Sequence, residues 1–274
     1  MAEIWEMSNY TANISYLINT YIYELDIQKS NINVLFTKGV IDQNTYNKLY
    51  NAPRMVRQCY IGNLQKDPAV VKILQQGVAE ARSWLVQNNN IQSYEVLSIK
   101  NDAVFVIGRC PQITDFGMIK FIVKNKYTGF YKLNHLECYY LYDSITRAES
   151  LDIKGISDEK LELHKNGFYI FLLDMCNIMQ CNGVEIALRM LKDYYYTYVR
   201  RMLPIDHYRE FNAGSQYKYK VHTSIGTGFV IDDSNDANKE LLDISYNLRL
   251  IQELSKLVNH AYFSQRRIPS YKQR

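Results

Sequence analysis

The sequence is poor in the two residues that most often interrupt regular structure. Its 274 residues include 12 Gly and only 5 Pro, beside 24 Tyr, although glycine is normally among the commonest residues. There is no internal repeat, low-complexity tract or Gly/Ser-rich linker. Hydrophobic residues make up 47% and charged residues 22%, which excludes wholesale disorder because enough apolar surface is present to offset chain entropy.

Long apolar runs and a leader segment are missing as well. No apolar run approaches the roughly 20 residues that span a bilayer, so we expect no integral membrane protein and no membrane partner. The first residues, MAEIWEMSNYTANISYL, lack the basic region and apolar core of a secretory signal. The sequence therefore predicts a cytoplasmic protein.

The cysteines argue against disulfide-bonded and zinc-binding proteins, and the net charge gives little indication of a nucleic-acid-binding protein. The five cysteines are odd in number and show neither C-x-x-C nor a Cys/His ligand spacing, which argues against a disulfide framework and a zinc site. Free thiols in a reducing compartment are expected. The net charge of +4 is too small by itself to indicate a nucleic-acid-binding protein.

The order of apolar and polar residues predicts an α+β protein. We expect an antiparallel sheet with packed helices in residues 1–156 and a helical region in residues 157–274. The expected strands are 20–27, 94–99, 103–108, 118–123, 127–133 and 136–142. The expected helices are 30–37, one from 42, 51–66, one from 68, one from 157, 168–179, 183–203 and 239–265.

Two segments are expected to be irregular. Residues 212–238 contain several glycines and an acidic patch of Asp232, Asp233 and Asp236, which predicts a loop. The residues from Arg266 onward form a basic tail.

Two aspartates stand at positions suited to metal binding. Asp26 ends a predicted strand that leads into a helix, and Asp102 lies in the turn of a predicted hairpin. If the two strands are neighbours, both carboxylates project at one edge, where a divalent cation would relieve their repulsion. Mg²⁺ prefers such hard oxygen ligands and keeps positions open for phosphate oxygens. The alternative is structural, with Asp26 as a helix cap and Asp102 as a turn residue.

Four segments, taken in order, resemble family B DNA polymerases. Residues 26–35 (DIQKSNINVL) resemble motif A, and residues 98–106 (SIKNDAVFV) resemble motif C. Ile119-Lys120-Phe121 with residues 124–129 (KNKYTG) is similar to the family's Lys-Lys-Arg-Tyr-x-Gly segment, and residues 151–156 (LDIKGI) are similar to its Tyr-Lys-Gly step. The resemblance spans about residues 20–157 and implies a polymerase palm, with a minimal fingers insertion at about residues 40–90.

The resemblance also implies roles for individual residues. Asp26 and Asp102 would be the catalytic ligands of Mg²⁺. Arg54 and Arg57 would hold the nucleotide triphosphate, and Asn31 stands where the family has the aromatic residue that excludes ribose. The implied contacts to a DNA or RNA primer–template are Lys124, Lys126, Tyr127 and Lys154. Other polymerase subunits are possible partners.

The sequence departs from the family at three points. Lys100 replaces the first aspartate of motif C, and Asn31 replaces the aromatic residue of motif A, which leaves the choice of sugar open. Only 25 residues precede Asp26, which leaves no room for an exonuclease domain. We therefore expect a reduced polymerase or one subunit of a split one.

Two hypotheses of function follow. The first is a template-directed nucleotidyltransferase that makes DNA or RNA by two-metal phosphoryl transfer. The compact, Tyr/Asn/Lys-rich style of the sequence indicates a viral or phage origin, hence the host cytoplasm. The alternative is a non-catalytic nucleic-acid-binding, structural or accessory viral protein with a degenerate palm or an unrelated α+β fold. Lys100 is the main argument for this alternative, because a positive charge there can replace a metal ion.

Overall fold

The computed structural model describes residues 3–143, 145–212, 218–223, 225–231 and 242–266. Over these residues the protein is α+β, with antiparallel sheets and a C-terminal half rich in helices, which confirms the predicted fold class. The chain divides into two compact units: residues 1–14 with 20–127, and residues 15–19 with 128–274. This division lies earlier than the predicted boundary at 156.

The first unit contains a six-stranded antiparallel sheet in the order β1-β4-β5-β3-β7-β6. Its strands are β1 (Asn9–Thr11), β3 (Ile22–Ile27), β4 (Val96–Lys100), β5 (Ala103–Ile107), β6 (Asp115–Phe116) and β7 (Ile119–Tyr127). The strand β2 (Tyr16–Leu17) belongs to the second unit. The expected hairpin of β4 and β5 is confirmed.

Strand β3 is central because it pairs with β5 on one side and β7 on the other. Leu25 and Ile27 belong to the hydrophobic core shared with the helices. Since side chains alternate along a strand, Glu24 and Asp26 face the other side of the sheet. The pairing of β3 with β7 shifts register between Glu24 and Leu25, and this bulge leaves Lys124 as the extra residue.

Four helices belong to the first unit: α1 (Ser30–Thr37), α2 (Gln43–Asn51), α3 (Arg54–Leu64) and α4 (Pro68–Asn88). Local signals explain where two of them begin. The Asp42 carboxylate accepts a hydrogen bond from the Thr45 amide at 2.7 Å, and Asp67 accepts one from the Ala69 amide at 2.9 Å. Pro68 occupies the first turn of α4, where its missing N–H costs nothing.

The second unit contains a four-stranded antiparallel sheet in the order β10-β9-β8-β2, together with a separate hairpin. Its further strands are β8 (Gly129–Leu133), β9 (Leu136–Asp143), β10 (Ala148–Lys154), β11 (Lys218–Thr223) and β12 (Gly226–Ile231). Its helices are α5 (Asp158–Glu162), α6 (Phe168–Cys181), α7 (Val184–Val199) and α8 (Ser245–Arg266). Buried side chains of α6, α7, α8 and the four-stranded sheet form one hydrophobic cluster.

Much of the unusual tyrosine content lies in buried positions. The Tyr194 ring stacks on Phe171, and its hydroxyl lies 2.9 Å from Nδ1 of His207. Tyr131, Tyr139 and Tyr140 are fully buried in the sheet of the second unit. At these positions tyrosine therefore serves as a large core side chain.

Two expectations about the C-terminal part need correction. Lys218–Thr223 and Gly226–Ile231 pair as the antiparallel strands β11 and β12 where a loop was expected. Gly226 and Gly228 lie within β12, so these glycines do not mark a loop. Residues 148–154 form an additional strand, β10. The acidic patch of Asp232, Asp233 and Asp236 and the basic tail from Arg267 lie outside the described residues. No helix in the described part of the chain is long and apolar enough to cross a membrane.

Helix α1 approaches α4 closely at Gly77, where an added Cβ would overlap the side chain of the buried Val34. Gly77→Ala should therefore lower the free energy of unfolding by about 1–3 kcal/mol. A Cβ added at Gly62 of α3 would meet no atom within 4 Å. Gly62→Ala should therefore raise the free energy of unfolding by up to about 1 kcal/mol through helix propensity. Urea denaturation measures both effects, and a Gly77→Ala variant as stable as Gly62→Ala would contradict the close contact.

Candidate functional site

Asp26 and Asp102 lie at the same end of two neighbouring strands. Strands β3 and β5 pair antiparallel with Asp26 opposite Ala103, the residue that follows Asp102. Asp102 itself occupies the turn between β4 and β5, beside Asn101, whose φ of 54° is left-handed. The sheet order thus brings together two acids that are far apart in sequence.

The two carboxylates interact electrostatically. Burial raises the pKa of Asp26, and the negative charge of Asp102 raises it further. Glu24 acts in the same direction, whereas Lys124 lowers the pKa of Asp26. Paired carboxylates of this kind are stabilised when a cation neutralises them. No cluster of three or more Asp, Glu, His or Cys side chains suited to a metal occurs in the described ranges.

A small cavity of about 160 Å³ adjoins Asp102 and collects the residues expected to hold a nucleotide. Asn31 of α1 and both Arg54 and Arg57 of α3 line it together with Asp102. Arg57 is held in place by donating a hydrogen bond from Nη1 to the Ala52 carbonyl at 2.6 Å. The Asp102 carboxylate and the guanidinium groups of Arg54 and Arg57 therefore line the same small cavity.

Lys29 adds a third positive charge to this cavity. Its ammonium donates a hydrogen bond to the Tyr50 carbonyl at 2.6 Å and lies 3.4 Å from the centre of the Tyr50 ring. Desolvation lowers the pKa of Lys29, and the charge of Arg57 lowers it further. The sequence did not indicate Lys29, because a lysine gives no sign that its backbone will adopt the left-handed φ of 48° found at the start of α1.

Ser30 is the second residue that sequence reasoning missed. It opens helix α1 and lines the cavity, yet its side chain is 7% exposed. Within the described parts of the chain, its hydroxyl has no hydrogen-bond partner. The first amides of a helix also lack partners within the helix and carry partial positive charge. In α1 the Ile32 amide donates a hydrogen bond to the Lys29 carbonyl at 3.1 Å, so the amides of Ser30 and Asn31 are the ones left for a ligand.

The residues expected to contact a primer–template divide into exposed and buried ones. Lys124 is half-exposed and lies 3.6 Å from the Glu24 carboxylate, while the Lys126 ammonium lies 3.8 Å from the centre of the Tyr21 ring. Tyr127 is only 1% exposed, and its hydroxyl donates to Glu24 at 2.7 Å. This side chain belongs to the core, so it offers almost no surface for the expected contact with a primer–template.

Lys154 lies in the second unit, at the end of β10. Its ammonium forms an ion pair with Asp152 at 2.8 Å. The following Gly155 has a φ of +101°, and a Cβ there would press on the carbonyl of His135. A glycine is therefore required at this step for reasons of backbone geometry.

The model of one protein family, described as Bacteriophage PBS1 gene 130 protein, matches residues 1–259. The chain belongs to this family. Among curated proteins, none matches the chain. The family is named for a phage protein, which agrees with the expected viral origin, and the description carries no statement of activity.

In this phage protein, Arg82 of α4 supports the turn that carries Asp102. Its side chain is buried, and its Nε donates a hydrogen bond to the Trp5 carbonyl at 2.8 Å. Its Nη1 donates to the carbonyl of Asn101, the residue before Asp102. Burial lowers the pKa of Arg82, and the nearby charge of Asp102 opposes that effect. An arginine among the apolar positions of α4 is the sequence signal that could have identified it.

Lys100 shares a face of the sheet with Asp26. Lys100 pairs with Ala103, and Ala103 pairs with Asp26, so residues opposite one another point to the same side. The Lys100 ammonium donates hydrogen bonds to Asn9 Oδ1 at 3.1 Å and Thr11 Oγ1 at 3.3 Å. Strand β1 thus holds this ammonium two strands away from Asp26.

We predict that Asp26→Asn stabilises the protein at neutral pH. A carboxyl whose pKa is raised on folding binds its proton more tightly in the folded state, so stability falls as pH rises through the range between the unfolded and folded pKa values. Asparagine removes this cost, and the melting temperature should rise by on the order of 1–3 °C at pH 7. The gain should shrink as the pH falls toward 3.8, the ordinary pKa of aspartate.

Thermal melts of Asp26→Asn and of Asp115→Asn measure this effect. Asp115 is well exposed and lies 3.6 Å from Lys120, so its variant should change stability little. An Asp26→Asn variant less stable than wild type at pH 7 would show that the ionised carboxylate is favourably paired, contrary to this account.

We predict that Arg82→Met loosens the turn at Asp102. The change leaves the Trp5 and Asn101 carbonyls without their donor and should cost about 1–3 kcal/mol of unfolding free energy. Faster hydrogen exchange of the Asn101 and Asp102 amides locates the effect. Lys72→Met, at an exposed position of α4, is the matched control. Unchanged exchange at the turn in Arg82→Met would remove Arg82 from this role.

Proposed function

We propose that this phage protein is a template-directed nucleotidyltransferase, either a reduced DNA or RNA polymerase or one subunit of a split one, acting in the host cytoplasm. One observation carries the proposal. The carboxylate of Asp102, which interacts electrostatically with that of Asp26, lines a cavity whose walls carry three cations. A nucleoside triphosphate bound with a divalent ion presents the complementary charges.

The cavity walls suit the phosphate groups. The guanidinium groups of Arg54 and Arg57 are suited to bidentate contacts with phosphate oxygens. The start of α1 offers the amides of Ser30 and Asn31, and the N-terminus of a helix favours anions. Lys29 supplies a compact charge on the same wall.

The two aspartates suit Mg²⁺. Hard carboxylate oxygens are its usual protein ligands. Burial and, after it, the negative charge of Asp102 raise the pKa of Asp26, and a bound cation would offset that negative charge. When bound there, such ions activate a 3′-hydroxyl and stabilise the departing pyrophosphate. Asp26 and Asp102 would hold the metal, while Arg54, Arg57 and Lys29 would orient the triphosphate for attack on its α-phosphorus.

The nucleic-acid strand is assigned to basic residues beside the acids. Lys124 is half-exposed and close enough to lower the pKa of Asp26, so a backbone phosphate bound there lies near the metal ligands. Lys126 is a further phosphate contact in the first unit. Lys154 is proposed separately as a phosphate contact of the second unit. Binding through such contacts weakens as salt concentration rises.

Lys100 favours a second candidate, a non-catalytic nucleic-acid-binding accessory protein. Its ammonium lies on the same face as Asp26, where the resembled family has an acid. An ammonium group on this face can take the place of a metal ion. The protein would then bind nucleic acid without catalysing a reaction.

Primer extension separates the two candidates. With purified protein, Mg²⁺, a primed template and both ribo- and deoxynucleotides, we expect extension by wild type and a loss of at least about 100-fold in Asp26→Asn and Asp102→Asn, because each removes a metal ligand. Asp115→Asn is the control and should retain activity. Extension that survives both aspartate changes would contradict the proposed mechanism. Duplex binding without any extension by wild type would establish the second candidate instead.

A further inference from the structure

A second, larger cavity adjoins the cationic one within the first unit. It measures about 530 Å³, against about 160 Å³ for the cationic cavity. Ser30, Asn31 and Asp102 line both cavities, so these three residues mark the junction. The larger cavity has the size usual for small-molecule sites, whereas the smaller one is too small for a whole nucleotide.

The two cavities differ in chemistry. The larger one has an apolar wall from α4, formed by Val71, Leu74 and Val78, and neutral amides from Gln65 and Gln75. Its carboxylate besides Asp102 is Glu6, and its cation is Arg82, which already donates hydrogen bonds to backbone carbonyls. An apolar surface with neutral hydrogen-bonding groups suits a nucleobase and sugar rather than phosphates.

We infer that one nucleotide spans both cavities, with its sugar at Ser30 and Asn31, and that its sugar is ribose. This inference rests on the proposed function and names the substrate class of the same site. The triphosphate lies in the cationic cavity, and the base lies against the apolar wall of α4. The sugar between them then meets the residues common to both cavities.

The preference for ribose follows from the groups at the junction. The Asn31 side chain is exposed at this junction, and its amide both donates and accepts hydrogen bonds. A ribose 2′-hydroxyl can exchange hydrogen bonds with this amide, whereas deoxyribose has no group there to do so. No aromatic residue lines either cavity, so the described walls place no flat ring against the 2′ position.

Equilibrium binding of defined probes tests this inference without requiring turnover. Isothermal titration with ATP, dATP and inorganic tripolyphosphate, in the presence of Mg²⁺, should give ATP an affinity about tenfold higher than dATP. ATP should also bind more tightly than tripolyphosphate, because only ATP reaches the larger cavity. Asn31→Leu and Asn31→Ala should each reduce the preference for ATP over dATP. Both variants change an exposed residue, so the fold should be retained.

Arg57→Gln is the matched control, because Arg57 lines only the cationic cavity. It should weaken ATP, dATP and tripolyphosphate alike and leave the preference for ribose unchanged. Equal affinities of wild type for ATP and dATP, or tighter binding of dATP, would overturn the inference and leave the proposed function standing. If tripolyphosphate binds as tightly as ATP, the nucleoside assignment of the larger cavity fails. If none of the probes binds, the nucleotide site itself fails, and the proposed function with it.

Discussion

Pairing of β3 with β5 is the constraint on which the rest of the site depends. It sets Asp26 opposite Ala103 and hence beside the turn that holds Asp102. The resulting repulsion, together with burial, raises the pKa of Asp26. Such a pair is unfavourable for the stability of the fold. Unfavourable charge of this kind is common at functional sites, where a ligand relieves it. The cations of the adjoining cavity partly offset this local excess of negative charge, and a bound metal ion would offset it further.

The surrounding helices hold that arrangement in place. Helix α1 lies tightly on α4 through Val34 and Gly77, which sets the position of the Ser30 end. Arg82 of α4 fixes the carbonyl next to Asp102. A single helix thus braces both the N-terminal end of α1 and the turn that carries Asp102. Supporting contacts of this kind keep charged side chains in a defined geometry before any ligand arrives.

The parts that sequence predicts well are those with local signals. Helix α1 has the predicted bounds of 30–37, and the Asp67–Pro68 start of α4 and the β4–β5 hairpin are confirmed, because caps and tight turns depend on neighbouring residues. The burial of Tyr127 was missed because the bulge at Lys124 reverses the alternation of β7. Phe121 therefore faces the helices while Tyr127 reaches Glu24. Lys29 and Ser30 owe their places to tertiary contacts that no local pattern encodes, whereas Arg82 is marked in the sequence as a charged residue among the apolar positions of α4.

Metal binding at the paired acids tests the central claim most directly. Crystals of wild type and Asp102→Asn soaked with Mn²⁺, an ion that prefers the same oxygen ligands as Mg²⁺, reveal the ion by its anomalous scattering. We predict a peak coordinated by the carboxylates of both Asp26 and Asp102 in wild type, and its loss in the variant. Wild-type crystals in which these carboxylates point apart, with Mn²⁺ bound only elsewhere or not at all, would contradict the account.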